Sequence, residues 1–273
     1  MVHLSAAQAP LTHSVTVVNA RGESELLQIP AERALTVYVD KAELITLMTL
    51  GARPEWLVLG YLRNQRLIES AADIASITVD WEVNAAAVKT RSGIQDLAHK
   101  TARRVVTTGC GQGSVFGDLM DGLDAIALPT TRLTQAQLYA IVDTIRLRDS
   151  VYKSAGSVHG CALFSGSELR LFVEDVGRHN AIDTIAGWLA LQGAPVPNAV
   201  FYTTGRLTSE MVIKAAQMGV AVVISRSGMT QMGHAVAARL GLCAIGRATN
   251  RRFLCFTASE RLVFQPELAC VIV

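Results

Sequence analysis

Alternating apolar and polar residues predict β-strands through most of the first half of the chain. The runs S-V-T-V-V-N-A, A-L-T-V-Y-V-D and L-I-T-L-M-T-L, all within residues 14–50, have this period-two pattern. Residues 54–68 instead repeat apolar side chains at helical spacing and begin with Pro54, a residue favoured at the first helical position. A further strand-like run, I-T-V-D-W-E-V, follows this helix. We therefore expect a smaller, strand-rich N-terminal subdomain over residues 1–104.

Helical and strand patterns alternate beyond residue 130. Thr134 and Gln137 have the spacing of a capping box and precede an apolar helical face. Two strand-like runs at 161–165 and 168–175 come next, and helices and strands then alternate as far as L-C-A-I-G. The element order is α-β-β-α-β-α-β-α-β. Because most consecutive strands are joined through helices, we predict a mainly parallel, helix-covered sheet in a three-layer α/β domain.

These patterns divide the chain into the N-terminal subdomain, an α/β domain over residues 126–273, and a mobile loop over residues 105–125 between them. The composition agrees with a folded protein, since 50% of the residues are hydrophobic and 18% are charged. A formal net charge of +2 is too small to indicate nucleic-acid binding. No apolar run is long enough to span a membrane, and the N-terminus lacks the features of a signal peptide. We therefore expect a cytoplasmic protein without nucleic-acid or membrane partners.

Polar and basic residues follow four of the predicted strands. The segments are E-D-V-G-R-H-N (174–180), T-T-G-R-L-T-S-E (203–210), S-R-S-G-M-T-Q (225–231) and G-R-A-T-N-R-R (246–252). Ligands of open parallel sheets bind beyond the carboxyl ends of the strands, and helix N-termini with arginines suit phosphate groups. The arginines that could contact an anionic ligand, such as a nucleotide, are Arg178, Arg206, Arg226, Arg247, Arg251 and Arg252. Any one of them alone is more often an ordinary solvated or ion-paired surface residue, and it is the four strand exits together that favour an anionic ligand.

Acidic and imidazole side chains meet in the first of these segments. Arg178 and His179 begin a predicted helix directly after Glu174 and Asp175. Such groups at one strand exit could perform acid–base chemistry or contact a base and a ribose. The alternative is a structural role, in which Asp175 caps the helix and an ion pair forms beside it.

One of the five cysteines stands apart from the others. Cys110 lies in V-V-T-T-G-C-G-Q-G-S-V-F-G (105–117), where glycines flank the thiol and leave the backbone free to move. Cys161, Cys243, Cys255 and Cys270 occur in apolar, strand-like runs and are expected to be buried and inert. No C-x-x-C pair accompanies the H-G-C run at 159–161, so a zinc deaminase site is excluded and no metal site is predicted.

Three of these stretches are similar to the FdhD family, the formate dehydrogenase accessory sulfurtransferases. They are T-T-G-C-G, E-D-V-G-R-H-N-A-I-D and the long run from T-T-G-R-L-T-S-E to V-V-I-S-R-S; L-G-Y-L-R-N-Q-R-L-I-E-S (59–70) also resembles the family's early helix. The resemblance covers nearly the whole chain. It implies a cytidine-deaminase-like α/β domain preceded by a smaller subdomain.

The resemblance also implies a function. Members of the family transfer sulfur from a cysteine desulfurase to the molybdenum cofactor, bis-molybdopterin guanine dinucleotide, before the cofactor enters formate dehydrogenase. Cys110 matches the persulfide cysteine of the family. A guanine nucleotide should mimic part of the cofactor, and a homodimer is one predicted assembly. The cofactor-binding stretch late in the chain corresponds to Arg247, Ala248, Thr249, Asn250, Arg251 and Arg252.

One departure from the family pattern matters for sulfur chemistry, and the family's motif at A-G-S-V-H-G-C (155–161) is altered as well. Many members carry a second loop cysteine three residues after the first, where this chain has Gly113. Either Cys110 acts alone, or Cys161 beside His159 substitutes for the missing thiol, or the protein is a cofactor-binding chaperone without sulfur chemistry. Sulfur transfer and chaperoning are therefore the two functional hypotheses.

Overall fold

In the N-terminal half, strands and one helix surround a single apolar cluster. The computed structural model describes residues 2–94 and 122–269. The elements are β1 (His3–Leu4), β2 (Thr12–Val18), β3 (Ser24–Pro30), β4 (Arg33–Val39), β5 (Ala42–Thr49), α1 (Pro54–Asn64), β6 (Ile74–Asp80) and β7 (Ala85–Thr90). A five-stranded sheet in the order β1-β6-β7-β4-β5 packs against α1, and β2 and β3 form a separate antiparallel hairpin.

Period-two alternation directs the side chains of this sheet. Leu35, Val37 and Val39 of β4 are fully buried, whereas the residues between them are half-buried. Pro54 begins α1, as the sequence predicts, and the helix ends at Asn64 rather than at residue 68. Strands β3 and β7 do not appear in the sequence prediction, because short polar and alanine-rich runs give a weak strand signal.

The second half combines a six-stranded sheet with a separate two-stranded pair. The elements are β8 (Leu133–Thr134), α2 (Gln135–Leu147), α3 (Val151–Ala155), β9 (His159–Ser165), β10 (Glu168–Asp175), α4 (Arg178–Gln192), β11 (Ala199–Thr203), α5 (Ser209–Gln217), β12 (Val222–Ser225), α6 (Gln231–Leu240), β13 (Cys243–Thr249), β14 (Arg252–Thr257) and β15 (Leu262–Val263). The six-stranded sheet has the order β10-β9-β11-β12-β13-β14, and β8 pairs with β15. The predicted order of helices and strands is present, with α3, β8, β14 and β15 added.

The prediction of a mainly parallel sheet is wrong. Among the described strands, β11–β12 and β12–β13 pair in parallel, while β10–β9, β9–β11 and β13–β14 are antiparallel. Two hairpins account for the difference. In the β9–β10 hairpin, β9 lies between β10 and β11 in the sheet. The connection that runs from β10 through α4 to β11 therefore passes over β9. In β13–β14, a tight turn at Asn250, where φ is +50°, adds an antiparallel edge strand.

Helices cover both faces of this sheet and produce three layers. Successive strand residues point to opposite faces, so Cys161 and Leu163 of β9 join the cluster under α4, α5 and α6. Ala162 and Phe164 join the cluster under α2 on the other face. The predicted capping box is present, since Gln137 N donates to Thr134 Oγ1 at 3.2 Å.

The two halves meet where α1 crosses α4, and the backbones of the two helices contact each other there. A Cβ atom at Gly60 would lie 1.7 Å from the Asp183 carbonyl oxygen, and one at Gly187 would lie 1.8 Å from the Trp56 carbonyl oxygen. Only glycine fits at either position. The predicted domain limits stay a prediction, since much of the 105–125 segment lies outside the described residues. No helix within residues 2–94 and 122–269 has the length and apolar character needed to cross a membrane.

Candidate functional site

The C-terminal ends of β11, β12 and β13 lie at the same end of the large sheet, beside the N-terminal end of β9. This end of the sheet, where the strands terminate, is called the sheet edge. Backbone hydrogen bonds join them: Thr204 N donates to Gly160 O at 2.9 Å, and Arg226 N donates to Thr203 O at 3.0 Å. Arg247 N donates to Ser227 O at 2.7 Å. The end of β10 lies at the same edge, because Asp175 pairs with His159. The structure thus brings together the four basic segments that the sequence places at strand exits.

A pocket of about 280 Å³ opens at this edge on the face covered by α2 and α3. Four predicted ligand-binding residues line it: Arg226, Ala248, Thr249 and Asn250. Arg146 and Lys153 bring two further cations, whereas Tyr152, Phe172 and Tyr202 supply aromatic surface. The remaining lining residues are Val142, Ile145, Ser150, Gly160, Glu174 and Thr204. Cations beside aromatic rings in a concave site suit a ligand that combines an anionic group with a flat ring.

Glu174 positions one wall of this pocket. Its carboxylate accepts hydrogen bonds from Val151 N at 2.7 Å and from Tyr152 N at 3.0 Å, the first two amides of α3. A carboxylate at this position satisfies amides that lack partners within the helix. Glu174 therefore fixes the helix that carries Tyr152 and Lys153, which is a structural role rather than acid–base chemistry.

Arg178, Arg206 and His159 form a second basic group beside the pocket. Arg178 packs over Gly205, where an added Cβ would lie 2.7 Å from Arg178 Cδ. Burial, together with the charges of Arg178 and Arg206, lowers the pKa of His159 below its usual value. The neutral imidazole lies with Nδ1 3.5 Å from Thr204 Oγ1. Since Thr204 also lines the pocket, this group borders it directly, although neither arginine is among the lining residues.

His179 lies behind the edge rather than in the pocket. Its side chain is buried, and its Nδ1 atom lies 3.5 Å from Glu210 Oε2 and has no hydrogen-bond partner among the described residues. Burial is the main reason that the pKa of His179 falls to about 2, and the charges of Lys214 and Arg178 lower it further. The imidazole is therefore neutral and belongs to the interior.

A buried ionic network continues from His179 towards the interface between the two halves. Lys214 Nζ lies 2.9 Å from Asp183 Oδ2 and 3.4 Å from Glu210 Oε1. Burial acts to lower the pKa of Lys214, but the two carboxylates outweigh it and raise that pKa. Asn64 Nδ2 of α1 donates to Asp183 Oδ1 at 2.6 Å. The network therefore joins α1, α4 and α5 and fixes the helix that begins with Arg178.

Asp175 and Asn180 also connect the two halves. The Asp175 carboxylate accepts from Thr49 Oγ1 at 2.5 Å, from Leu50 N at 3.2 Å and from Gly177 N at 3.1 Å. Asn180 Nδ2 donates to Asp175 at 2.9 Å and to Met48 O at 2.5 Å. Much of the E-D-V-G-R-H-N segment is therefore structural.

Like Arg178 and Arg206, the three predicted arginines of the 246–252 segment lie outside the pocket. Arg251 Nη2 lies 3.3 Å from Asp143 Oδ2, and its guanidinium covers the Tyr139 ring at 4.8 Å from the ring centre. Arg247 lies in β13 and Arg252 begins β14, and both side chains are exposed. They can add positive charge near the edge, but they do not line the described cavity.

Among the cysteines that the structure describes, Cys161 and Cys243 are buried as the sequence predicts, whereas Cys255 is half-buried and that part of the prediction is wrong. Cys110 lies outside the described residues. Cys161 is fully buried, and burial raises the pKa of its thiol to about 12. Its Sγ donates to Thr203 Oγ1 at 3.3 Å. A thiol without access or thiolate character is unsuited to relay sulfur, so the structure favours a core role for Cys161.

Sequence reasoning missed Tyr152, Lys153, Phe172 and Tyr202. Strand alternation was a usable signal for two of them, because Phe172 shares a face with Glu174 and Tyr202 shares a face with Thr204. Helix α3 has only five residues and gives no periodic signal. Within residues 2–94 and 122–269, no group of three or more His, Cys, Asp or Glu side chains is arranged to hold a metal ion.

Comparison with known proteins places this architecture in a family. The FdhD/NarQ family pattern matches residues 30–263. The sulfur carrier protein FdhD of Bacillus licheniformis is 32% identical, covering 87% of this chain and 90% of the relative. The protein of the same name from Bacillus subtilis is 30% identical, covering 85% and 88%.

A solved structure agrees with the sequence relatives. The crystal structure of a protein from Desulfotalea psychrophila, described as a formate dehydrogenase accessory protein, superimposes with a TM-score of 0.75 at 25% identity. The match covers 93% of this chain and 100% of that one. With the family pattern spanning most of its length, the chain belongs to the FdhD/NarQ family.

Proposed function

We propose that this protein is a sulfur carrier that delivers persulfide sulfur to the molybdenum cofactor used by formate dehydrogenase. Relatives that match most of the chain are named sulfur carrier proteins, and a structural neighbour is described as a formate dehydrogenase accessory protein. The sulfur donor would be a cysteine desulfurase. The substrate would be bis-molybdopterin guanine dinucleotide, bound at the edge of the large sheet.

The observation that carries the proposal is the pocket beside Arg226. A guanine dinucleotide offers a flat purine, a ribose and a diphosphate, all of which need different partners. Tyr152 and Phe172 offer stacking surface, and Asn250 offers an amide for hydrogen bonding. Arg226, Arg146 and Lys153 offer cations for phosphate oxygens. The residues present therefore fit part of such a substrate, and Arg178 and Arg206 extend the positive charge along the edge.

Cys110 would carry the sulfur. Its thiolate attacks the outer sulfur of a persulfide on the donor, and the donor cysteine leaves as a thiolate. A thiol on a glycine-rich segment suits a carrier that must meet a donor protein and a bound substrate in turn. Since Cys161 is buried and Gly113 replaces the second loop cysteine, Cys110 acts alone.

Further parts of this proposal follow from the family resemblance. We infer a cytidine-deaminase-like topology for the second half, which agrees with a three-layer α/β arrangement but goes beyond it. We also infer a cytoplasmic location and a homodimer as one assembly. Size measurement by light scattering tests the assembly directly.

Loading with sulfur tests the function. The full chain is incubated with a cysteine desulfurase and cysteine, repurified, and assayed for cyanide-labile sulfur. We expect one labile sulfur per chain for the wild type and for Cys161→Ala, and none for Cys110→Ser. Guanosine diphosphate should bind all three proteins equally. Nucleotide binding without any labile sulfur on the wild type would instead support the cofactor-chaperone hypothesis.

A further inference from the structure

Two thiols that the proposed function does not use lie next to each other in the second half of the chain. Cys243 begins β13 and Cys255 lies in β14, and their Sγ atoms are 3.9 Å apart. The strands are antiparallel neighbours with a register irregularity between Ala244 and Ile245. A disulfide needs the sulfur atoms about 2.05 Å apart, so the two atoms would have to move closer by about 1.9 Å to form the bond.

The environments of the two thiols are unequal. Cys243 is fully buried, whereas Cys255 is half-buried. Hydrogen bonding to the Cys243 thiol lowers the pKa of Cys255, although burial opposes this effect. The same contact and burial raise the pKa of Cys243. A half-buried thiol beside a fully buried one is an arrangement in which the more accessible sulfur reacts first and the other resolves the product.

We propose that Cys243 and Cys255 form a reversible redox pair that closes to an intramolecular disulfide on exposure to a two-electron oxidant such as hydrogen peroxide. The Cys255 thiolate attacks one peroxide oxygen, and with one proton this gives a sulfenic acid and water. The Cys243 thiol then attacks the Cys255 sulfur, its proton leaves with the hydroxyl group as a second water, and the S–S bond forms. Two thiols are oxidised and one peroxide is reduced.

The position of the pair gives this oxidation a structural consequence. Cys243 and Cys255 lie on either side of the β13–β14 turn, and the chain between them includes Ala248, Thr249 and Asn250 of the pocket wall. A disulfide would covalently close the hairpin that carries this wall. It restricts the unfolded chain as well, and it should therefore raise the melting temperature by several degrees. The inference does not depend on what the pocket binds.

Peptide mapping of the full chain tests the proposal. Trypsin should release Cys243 within residues 240–247 and Cys255 within residues 253–261, so the disulfide appears as one reducible, cross-linked pair. We expect this pair in monomeric protein treated with peroxide under native conditions and its loss after a reductant. The peptide that contains Cys161 should stay in the thiol form, because that side chain is fully buried.

Two controls keep the outcome clear. Cys255→Ser should abolish the cross-link and the rise in melting temperature, while leaving any oxidation of Cys110 unchanged. Native alkylation of the reduced wild type should modify Cys255 at least about tenfold faster than Cys161, because Cys255 is half-buried whereas Cys161 is fully buried. A wild-type protein whose Cys243 and Cys255 peptides stay separate after peroxide treatment, or pair only in denaturant, overturns the proposal.

Discussion

The guanidinium of Arg226 lies 5.8 Å from the centre of the Tyr152 ring, and both side chains line the pocket at the sheet edge. The two residues come from different elements, the exit of β12 and helix α3. Their contact places a cation and an aromatic surface within reach of one ligand. This pair, rather than the more numerous arginines of the β13–β14 turn, is the centre of the candidate binding site.

The first prediction compares arginines at the same edge. Arg226→Ala should weaken guanosine diphosphate binding by about tenfold, the expected loss for one charge-assisted contact. Arg252→Ala should weaken it less, because Arg252 does not line the pocket. Isothermal titration calorimetry at two salt concentrations measures both effects. Arg170→Ala, which removes an exposed arginine paired with Glu168, is the control and should leave affinity unchanged.

Equal losses for Arg226→Ala and Arg252→Ala would contradict this assignment. In that case the ligand would extend over the exposed turn, and the described pocket would not be its main contact.

A second prediction concerns Glu174. Removal of its carboxylate in Glu174→Ala leaves the amides of Val151 and Tyr152 without their acceptor. We expect a loss of about 1–2 kcal/mol in the free energy of unfolding, typical of a lost helix cap, together with weaker nucleotide binding. Chemical denaturation and calorimetry give the two values. Glu168→Ala, which breaks an exposed pair with Arg170, should change stability by less than about 0.5 kcal/mol.

The crossing of α1 and α4 supplies a third prediction. Gly60→Ala would place a methyl group against the Asp183 carbonyl oxygen, which belongs to the backbone and cannot rotate away. We expect a loss of about 3 kcal/mol or more in the free energy of unfolding. Gly228→Ala is the matched control, since its Cβ would meet nothing within 4 Å. Similar unfolding midpoints for both variants would mean that the helices can separate at little cost.

Acid should destabilise the protein through His179. The folded-state pKa of about 2 lies below the ordinary value of 6.5, so the unfolded state binds a proton that the folded state excludes. The contribution of His179 to the free energy of unfolding is present above pH 6.5 and decreases as the pH drops below that value. Between pH 7 and pH 5 the loss should be about 2 kcal/mol. Denaturant unfolding of the wild type and His179→Gln at both pH values measures it, and an equal loss in the variant would assign the effect elsewhere.

The sequence predicts features that depend on neighbouring residues and misses those that depend on distant ones. The capping box of Thr134 and Gln137 is local and is present in the structure. Strand β9 takes a position between β10 and β11, which the helical connections do not reveal. Helix α3 is stabilised by Glu174, more than twenty residues further along, so periodicity alone does not find Tyr152.

The same distinction applies to the site. Arg226 follows a clear strand exit, and its side chain lines the pocket. His179 follows a similar exit, but the sequence gives no sign that Glu210 and Lys214 enclose it. Sequence pattern therefore locates the edge of the sheet, whereas tertiary packing decides which of its side chains reach the pocket.

The most direct test of the central claim is formate dehydrogenase activity in cells that lack their own accessory protein, complemented with variants at matched soluble levels. Cys161→Ala should restore activity like the wild type, because its thiol is buried and has a pKa of about 12. Cys110→Ser should fold and bind nucleotide but restore no activity, since serine cannot carry a persulfide. Full activity with Cys110→Ser would contradict sulfur transfer through this residue.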